Sequence, residues 1–435
     1  MPSYPLENQL PAPSPPPLHR FTLDNGLAVY LREDHRAPLV SAQLWYHVGS
    51  SYEHAGHTGL SHALEHLMFE GSSKLSPGQY SALITRLGGE PNAFTSRDAT
   101  VFPVTLPASR LEIAIEAMAD TMATARLGEA AFARELAVIK AERRTRVDSM
   151  PFALAQERGR SLAHGDSRYS TPIIGHAEDL EQMTLAEVLI WYKSWYHPNN
   201  ATLVVAGDIG PERLRTLVDR HFARLQANRL PPRETPRESV SLEERTQTVT
   251  MPGMRPGVIM TFNTPSLATA RSARDAHALR LLAALLTIGA SSRLYSRLVR
   301  GERALLAVRS EYDYLQRGDG LFTLSAFSNG PPQDVVALIW RELERLGQTP
   351  PSEQELKRAK TAVLTAVLFA RDDIAQQASA IGTCASSGVD PDLLDTEQQA
   401  IENLTGEDVR QAASGYLTRN RLTVTYMQDK ERSHD

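Results

Sequence analysis

The clearest chemistry in this chain lies in His62-Ala63-Leu64-Glu65-His66. The segment sits in a helical pattern over about 57–70, where Leu60, Leu64, Leu67 and Met68 supply the apolar positions. At 3.6 residues per turn, His62 and His66 stand one above the other on one helix face. Two imidazoles so placed can take adjacent corners of a tetrahedral zinc site. Glu65 precedes the second histidine by one residue, within reach of a water at such a site. A carboxylate there can take the proton of a water that attacks a carbonyl.

A catalytic zinc needs a third protein ligand and an open fourth position. The run from Arg134 to Glu142 offers two candidates, Glu135 and Glu142, two helical turns apart and therefore on one face. Val138 and Ile139 lie between them, near the same side. One carboxylate can ligate and the other can hydrogen-bond a ligating histidine; spacing alone leaves both assignments open. Cysteine is no competitor, because Cys384 is the single one and the chain has 13 histidines. Neither an intramolecular disulfide nor a multi-cysteine metal site is possible. Lys+Arg total 46 against 51 Asp+Glu, a net charge of −5 that gives no support to a nucleic-acid or anionic-membrane surface. No apolar run long enough to span a membrane occurs.

The elements that must position these residues follow a repeated order. Phe21–Leu23 and Leu27–Leu31 flank Asp24-Asn25-Gly26, a hairpin signal, and a strand follows over Val40–Val48. Helical patterns cover about 57–70, 76–88, 109–125, 129–149, 152–163 and 184–196, interrupted by strands at Thr100–Leu106 and Thr202–Ala206. After a proline-rich stretch, strands are expected at Val258–Phe262, Leu321–Ser325 and Leu422–Tyr426. Helices are expected at about 272–288, 332–346, 352–371 and 406–417. The shared order predicts an α+β fold of two homologous domains, each a mostly antiparallel sheet packed with helices. The boundaries read as a proline-rich arm over 1–19, an N-terminal domain with the metal motif over 20–225, a linker over 226–240, and a C-terminal domain without a metal site over 241–435.

From about residue 20 to 428 the chain resembles the pitrilysin/insulinase family of zinc peptidases, most of all the branch of the mitochondrial processing peptidase and its bacterial relatives. The resemblance is carried by Gly59 to Gly71 around the H-x-x-E-H order of the inverzincins, by Asn92-Ala93-Phe94-Thr95-Ser96-Arg97-Asp98, and by Glu135 to Glu142. It continues through Tyr196-His197-Pro198-Asn199-Asn200-Ala201, Val204 to Asp208, and Ser291-Ser292-Arg293-Leu294. The resemblance implies half of a clam-shell, one zinc per chain held by His62, His66 and Glu142, Glu65 as general base, and Glu135 in support. It also implies that Asn92, Ala93, Phe94 and Thr95 form an edge that receives a peptide substrate as an added strand.

Members of that family carry an arginine and, seven residues later, a tyrosine that steady the substrate and the developing oxyanion. Arg300 fits the first position, but the second holds Ala307, which has no donor. The expectation is therefore a heterodimer, in which a paralogous subunit supplies an intact Arg/Tyr pair. An active homodimer using Tyr312 or Tyr314 is the alternative, and a non-catalytic scaffold subunit a more distant one. The arm reads as a tether left after a removed export signal, which predicts the periplasm, with the cytoplasm as alternative.

Overall fold

A computed structural model describes residues 16–237 and 242–430. Most of the expected arm, and positions 238–240 of the expected linker, lie outside the described residues. The last residues assigned to the arm belong to the fold, since the first strand starts at Leu18.

The first half contains β1 (Leu18–Thr22), β2 (Ala28–Glu33), β3 (Leu39–Tyr46), α1 (Leu60–Leu67), α2 (Gln79–Arg86), β4 (Glu90–Pro91), β5 (Phe94–Thr95), β6 (Thr100–Pro107) and α3 (Leu111–Thr124). It continues with α4 (Glu129–Arg143), α5 (Pro151–His164), α6 (Ala177–Gln182), α7 (Leu185–Trp195), β7 (Ala201–Gly207) and α8 (Pro211–Phe222). The second half contains β8 (Arg245–Met251), β9 (Gly257–Thr264), α9 (Ala273–Thr287), β10 (Leu305–Tyr312), β11 (Gly320–Ser328) and α10 (Pro332–Gln348). It ends with α11 (Glu353–Asp372), α12 (Ile374–Ser387), α13 (Leu393–Glu402), α14 (Gly406–Tyr416) and β12 (Leu422–Asp429).

The hairpin expected at Asp24-Asn25-Gly26 joins β1 to β2, with Gly26 at φ +87°. Asn25 leaves the turn to donate to the carbonyls of Phe222 and Leu225, which ties the hairpin to the end of α8. Strand order in the first sheet is β1-β2-β7-β3-β6-β4, with β5 also on β6; in the second it is β10-β11-β9-β12-β8. Each sheet holds one parallel pair, β2 with β7 and β8 with β12; every other pair is antiparallel. Read from those parallel pairs, β2-β7-β3-β6-β5 and β8-β12-β9-β11-β10 are the same path, so the duplication extends to topology.

One face of each sheet packs on helices of its own half. Leu31, Leu44, Leu64, Met118, Leu203 and Phe222 belong to the first core, and Phe262, Leu282, Phe322, Ile339 and Val424 to the second. The opposite faces are covered by exchange. From the second half, α12 lays Ala378 and Ile381 over Trp45, Val204 and Ala206 of the first sheet. From the first half, α5 lays Ala155 over Val249, Ile259 and Met427 of the second. Both helices come in close on a glycine. A Cβ on Gly382 would sit 2.1 Å from the Trp45 ring, and one on Gly159 would sit 2.8 Å from Thr425 Oγ1.

Trp45 cannot simply swing away, because its Nε1 donates to Gln43 Oε1 at 3.1 Å. Gly382→Ala is therefore expected to lower stability by about 1–3 kcal/mol, the usual cost of overpacking. Gly330→Ala, where nothing lies within 4 Å of the added carbon, is the control. Urea unfolding of the two variants checks this; equal midpoints would refute the close approach.

A loop of the second half also reaches into the first. Buried Asp98 accepts from Ser51 Oγ at 3.0 Å, from the Arg317 main-chain N–H at 3.0 Å, and from the Tyr169 hydroxyl. The Gly318 N–H donates to the Tyr169 hydroxyl oxygen at 2.8 Å, and the Arg317 guanidinium lies 4.3 Å from the centre of the Tyr52 ring.

Candidate active site

The helix bearing the histidines starts abruptly. Gly59 stands at φ +89°, and a side chain there would meet the Ile174 carbonyl at 2.9 Å. The first N–H groups of a helix have no partner within it. Glu53 supplies one from outside: Oε2 accepts from Gly59 N at 2.7 Å and Oε1 from Ser61 N at 2.8 Å. Glu53 is fully buried, and burial pushes its carboxyl up to about 7 against the pull of those two N–H groups. Sequence reading passed over Glu53, because a cap is sought next to its helix and this one arrives through a turn.

Leu60, Ala63, Leu64 and Leu67 anchor α1 in the first core, which leaves His62, Glu65 and His66 on the side toward α4 and β5. Ile139, 1% exposed, fixes α4 on the same core. Val138 does not share that side as expected; it is 47% exposed, because one helical step turns it to solvent. Glu135 and Glu142 then both face α1.

The two carboxylates do different things. Glu142 Oε2 lies 3.7 Å from His62 Nε2 and 3.6 Å from His66 Nε2, and the three donor atoms fall within 4.8 Å of one another. Its other oxygen is held by Arg146 at 2.8 Å. Glu135 Oε2 instead stands 3.2 Å from His66 Nδ1, on the far side of that ring. With its proton on Nδ1, His66 turns the Nε2 lone pair into the cluster. Burial, with His66 beside it, lowers His62 to about 3, so that ring is neutral near neutral pH. Two imidazole nitrogens and one carboxylate oxygen, converging from two helices, fit a divalent zinc ion.

Glu65 is 9% exposed, and burial raises its carboxyl above the usual range. Its Oε2 accepts from Thr95 Oγ1 at 2.6 Å. The four residues expected to receive the substrate are not all in a strand. Only Phe94 and Thr95 form β5; Asn92 and Ala93 make the jog between β4 and β5, where Asn92 Oδ1 accepts from the Ala93 N–H.

The remaining expected residue, Arg300, lies apart from this group. It lies near the end of a wide helical turn, Tyr295–Gly301, is exposed, and its side chain has no hydrogen bond or ion pair among the described residues. Ala307 is exposed on β10, the edge strand of the second sheet. Tyr312 and Tyr314 are engaged inside the second half. Tyr312 donates to the Pro265 carbonyl at 2.6 Å, and Tyr314 reaches Glu397 Oε1 at 3.4 Å beneath the Arg280 guanidinium.

A duplicated frame that sets such a donor cluster beside an open strand edge is the architecture of a clam-shell zinc peptidase. The insulinase model (peptidase family M16) matches residues 28–175, and the M16 inactive-domain model matches 182–363. The chain belongs to the M16 family and is a zinc protease. The passage from one model to the other falls at α6, before β7 of the first sheet.

Among relatives, the zinc protease PqqE of Helicobacter pylori is 29% identical over 349 residues, 78% of this chain and 77% of that protein. An uncharacterized zinc protease of Rickettsia felis is 27% identical over 402 residues, 90% of this chain and 93% of its own. A protease from Helicobacter pylori of known crystal structure superposes with a TM-score of 0.90 at 27% identity, covering 95% of this chain and all of that one. Among the described residues, no helix is long and apolar enough to cross a membrane.

Proposed function

We propose that this chain is the zinc-bearing subunit of a two-subunit peptidase that hydrolyses peptides or unfolded segments in an enclosed chamber. The His62/His66/Glu142 donor set supports the reading, together with Ala307, which stands seven residues after Arg300 at the position where the resemblance implies a tyrosine. A paralogous subunit with an intact Arg/Tyr pair would supply the missing donor, and Arg300 is the remnant of the pair on this chain. The engaged hydroxyls of Tyr312 and Tyr314 weigh against a homodimer that uses either of them. The intact donor set weighs against a scaffold role.

In this reading His62, His66 and Glu142 hold one zinc per chain, which supplies Lewis acidity at the scissile carbonyl. Glu65 takes the proton of the attacking water and passes it to the leaving amine. Glu135 orients His66 through Nδ1. The open edge of β5 binds the peptide main chain, so affinity depends weakly on substrate sequence. Glu135→Gln keeps the shape but loses the charge beside His66, and is expected to weaken zinc binding about 10–100-fold. Competition against a chelating dye measures this, and an unchanged affinity would exclude the orienting role.

The partner is tested by assaying peptide hydrolysis with the chain alone and with the product of a neighbouring paralogous gene. The chain alone is expected to bind zinc yet cleave poorly, and the pair to cleave well. Full activity of the chain alone, unchanged by any partner, overturns the two-subunit reading. We place the protein in the periplasm rather than the cytoplasm. Support comes from a structural neighbour described as the periplasmic protease PqqL of Escherichia coli. Fractionation that finds the native protein in the cytosol alone overturns that placement.

A further inference from the structure

We infer that the Thr95 hydroxyl is the positioning group for the Glu65 carboxylate, so that the strand offered to the peptide also aims the base. This rests on the reading of Glu65 as proton acceptor. Neighbouring residues on a strand point to opposite faces. Phe94 turns to one face, where its ring meets Trp45 edge-on at a centroid distance of 5.9 Å. Thr95 turns to the other, toward α1, and donates to Glu65 Oε2 at 2.6 Å. No other hydrogen bond reaches this carboxylate among the described residues.

The terminal torsion of a glutamate is broad, so a backbone fixed in a helix does not fix the plane of its carboxylate. A single charge-assisted O–H···O⁻ bond at one oxygen does, and it leaves Oε1 free to receive a proton. Thr95 suits this task, because a β-branched side chain is stiff at χ1. Its backbone is fixed too. Thr95 pairs with Thr100 of β6, the Ser96 N–H donates to the Ala99 carbonyl at 2.7 Å, and Asp98 in the same loop is clasped by Ser51, Tyr169 and Arg317. Both halves of the molecule thus hold the hydroxyl where it stands. Among the described strands β5 pairs with β6 alone. A peptide added at its free edge would use main-chain groups and leave the hydroxyl on Glu65.

The test compares Thr95→Val, which keeps the shape and drops the hydroxyl, with Thr95→Ser, which keeps the hydroxyl. Both are assayed zinc-loaded, with whichever partner gives wild-type turnover. Thr95→Val is expected to keep its zinc, its unfolding midpoint, its KM and its anisotropy-measured Kd for a fluorescent peptide within about twofold. Its kcat is expected to fall about tenfold or more, the scale of a lost charge-assisted hydrogen bond. Thr95→Ser is expected to stay within about threefold of wild type. Wild-type kcat in Thr95→Val, an equal loss in both variants, or a loss carried by KM and Kd would overturn the inference. If Thr95→Val does not fold, Thr95→Ala is read by the same criteria. Glu65→Gln is run alongside. Near-normal turnover there removes the base itself, whereas an inactive Glu65→Gln beside a fully active Thr95→Val removes this inference alone.

Discussion

Replacing His66 by alanine is expected to abolish both bound zinc and peptide hydrolysis. His66 is doubly engaged: Nε2 faces Glu142 Oε2 at 3.6 Å and Nδ1 faces Glu135 at 3.2 Å. Without the ring, one nitrogen and one carboxylate oxygen remain at the cluster, and the Glu135 charge loses its partner. Two ligands from one helix and its neighbour do not make a closed zinc site, which takes three or four protein donors. The fold should survive, because the apolar face of α1 is carried by Leu60, Leu64 and Leu67. Elemental analysis of the purified variant, with circular dichroism as the control, gives the answer. Stoichiometric zinc in a folded His66→Ala protein would sink the assignment.

Glu65→Gln should separate metal from chemistry. The amide oxygen can still accept from Thr95, so the side chain keeps its place, and no zinc donor is touched. An amide takes no proton from water at neutral pH. General base catalysis alone contributes about 10²–10⁴-fold, and a misdirected water adds to the loss. The variant should therefore carry full zinc, bind peptide, and turn over several orders of magnitude more slowly. Near-normal turnover would exclude Glu65.

How much of this was legible in the sequence follows from the range of each interaction. His62, Glu65 and His66 are joined by helical periodicity, which any sequence carries openly. Glu135 and Glu142 are equivalent by spacing and become distinct only when α4 is laid against α1; the family resemblance, and not the periodicity, favoured Glu142. Glu53 and the hydroxyl of Thr95 act across turns and strands, and no local pattern marks them. The same holds for the missed elements. In β8, Thr and Gln alternate around a single buried Val249, so its signal is weak. β10, at a sheet edge, runs Arg309-Ser310-Glu311 through its second half, three consecutive polar residues with no alternation of apolar and polar. α12 is built largely of Ala, Ser, Gly and Gln, small or polar residues with no broad apolar stripe, because it must approach Trp45 closely. Its small side chains read as loop until the tryptophan they fit is known.

The exchanged helices also govern how the protein can be made. The outer face of the first sheet, with Trp45, Val204 and Ala206, stays bare until α12 has left the ribosome, long after the metal helix has been synthesised. Throughout that interval the nascent chain presents apolar strands that only its own distant segment fits, the situation in which chaperones are recruited and aggregation competes. A fragment cut at the linker would keep its histidines and carboxylates but carry the same exposed face for good. Catalytic parts and folding unit are therefore not coextensive: the residues of the site come from the first half, while the smallest piece able to shelter its hydrophobic surface runs nearly the whole length of the chain.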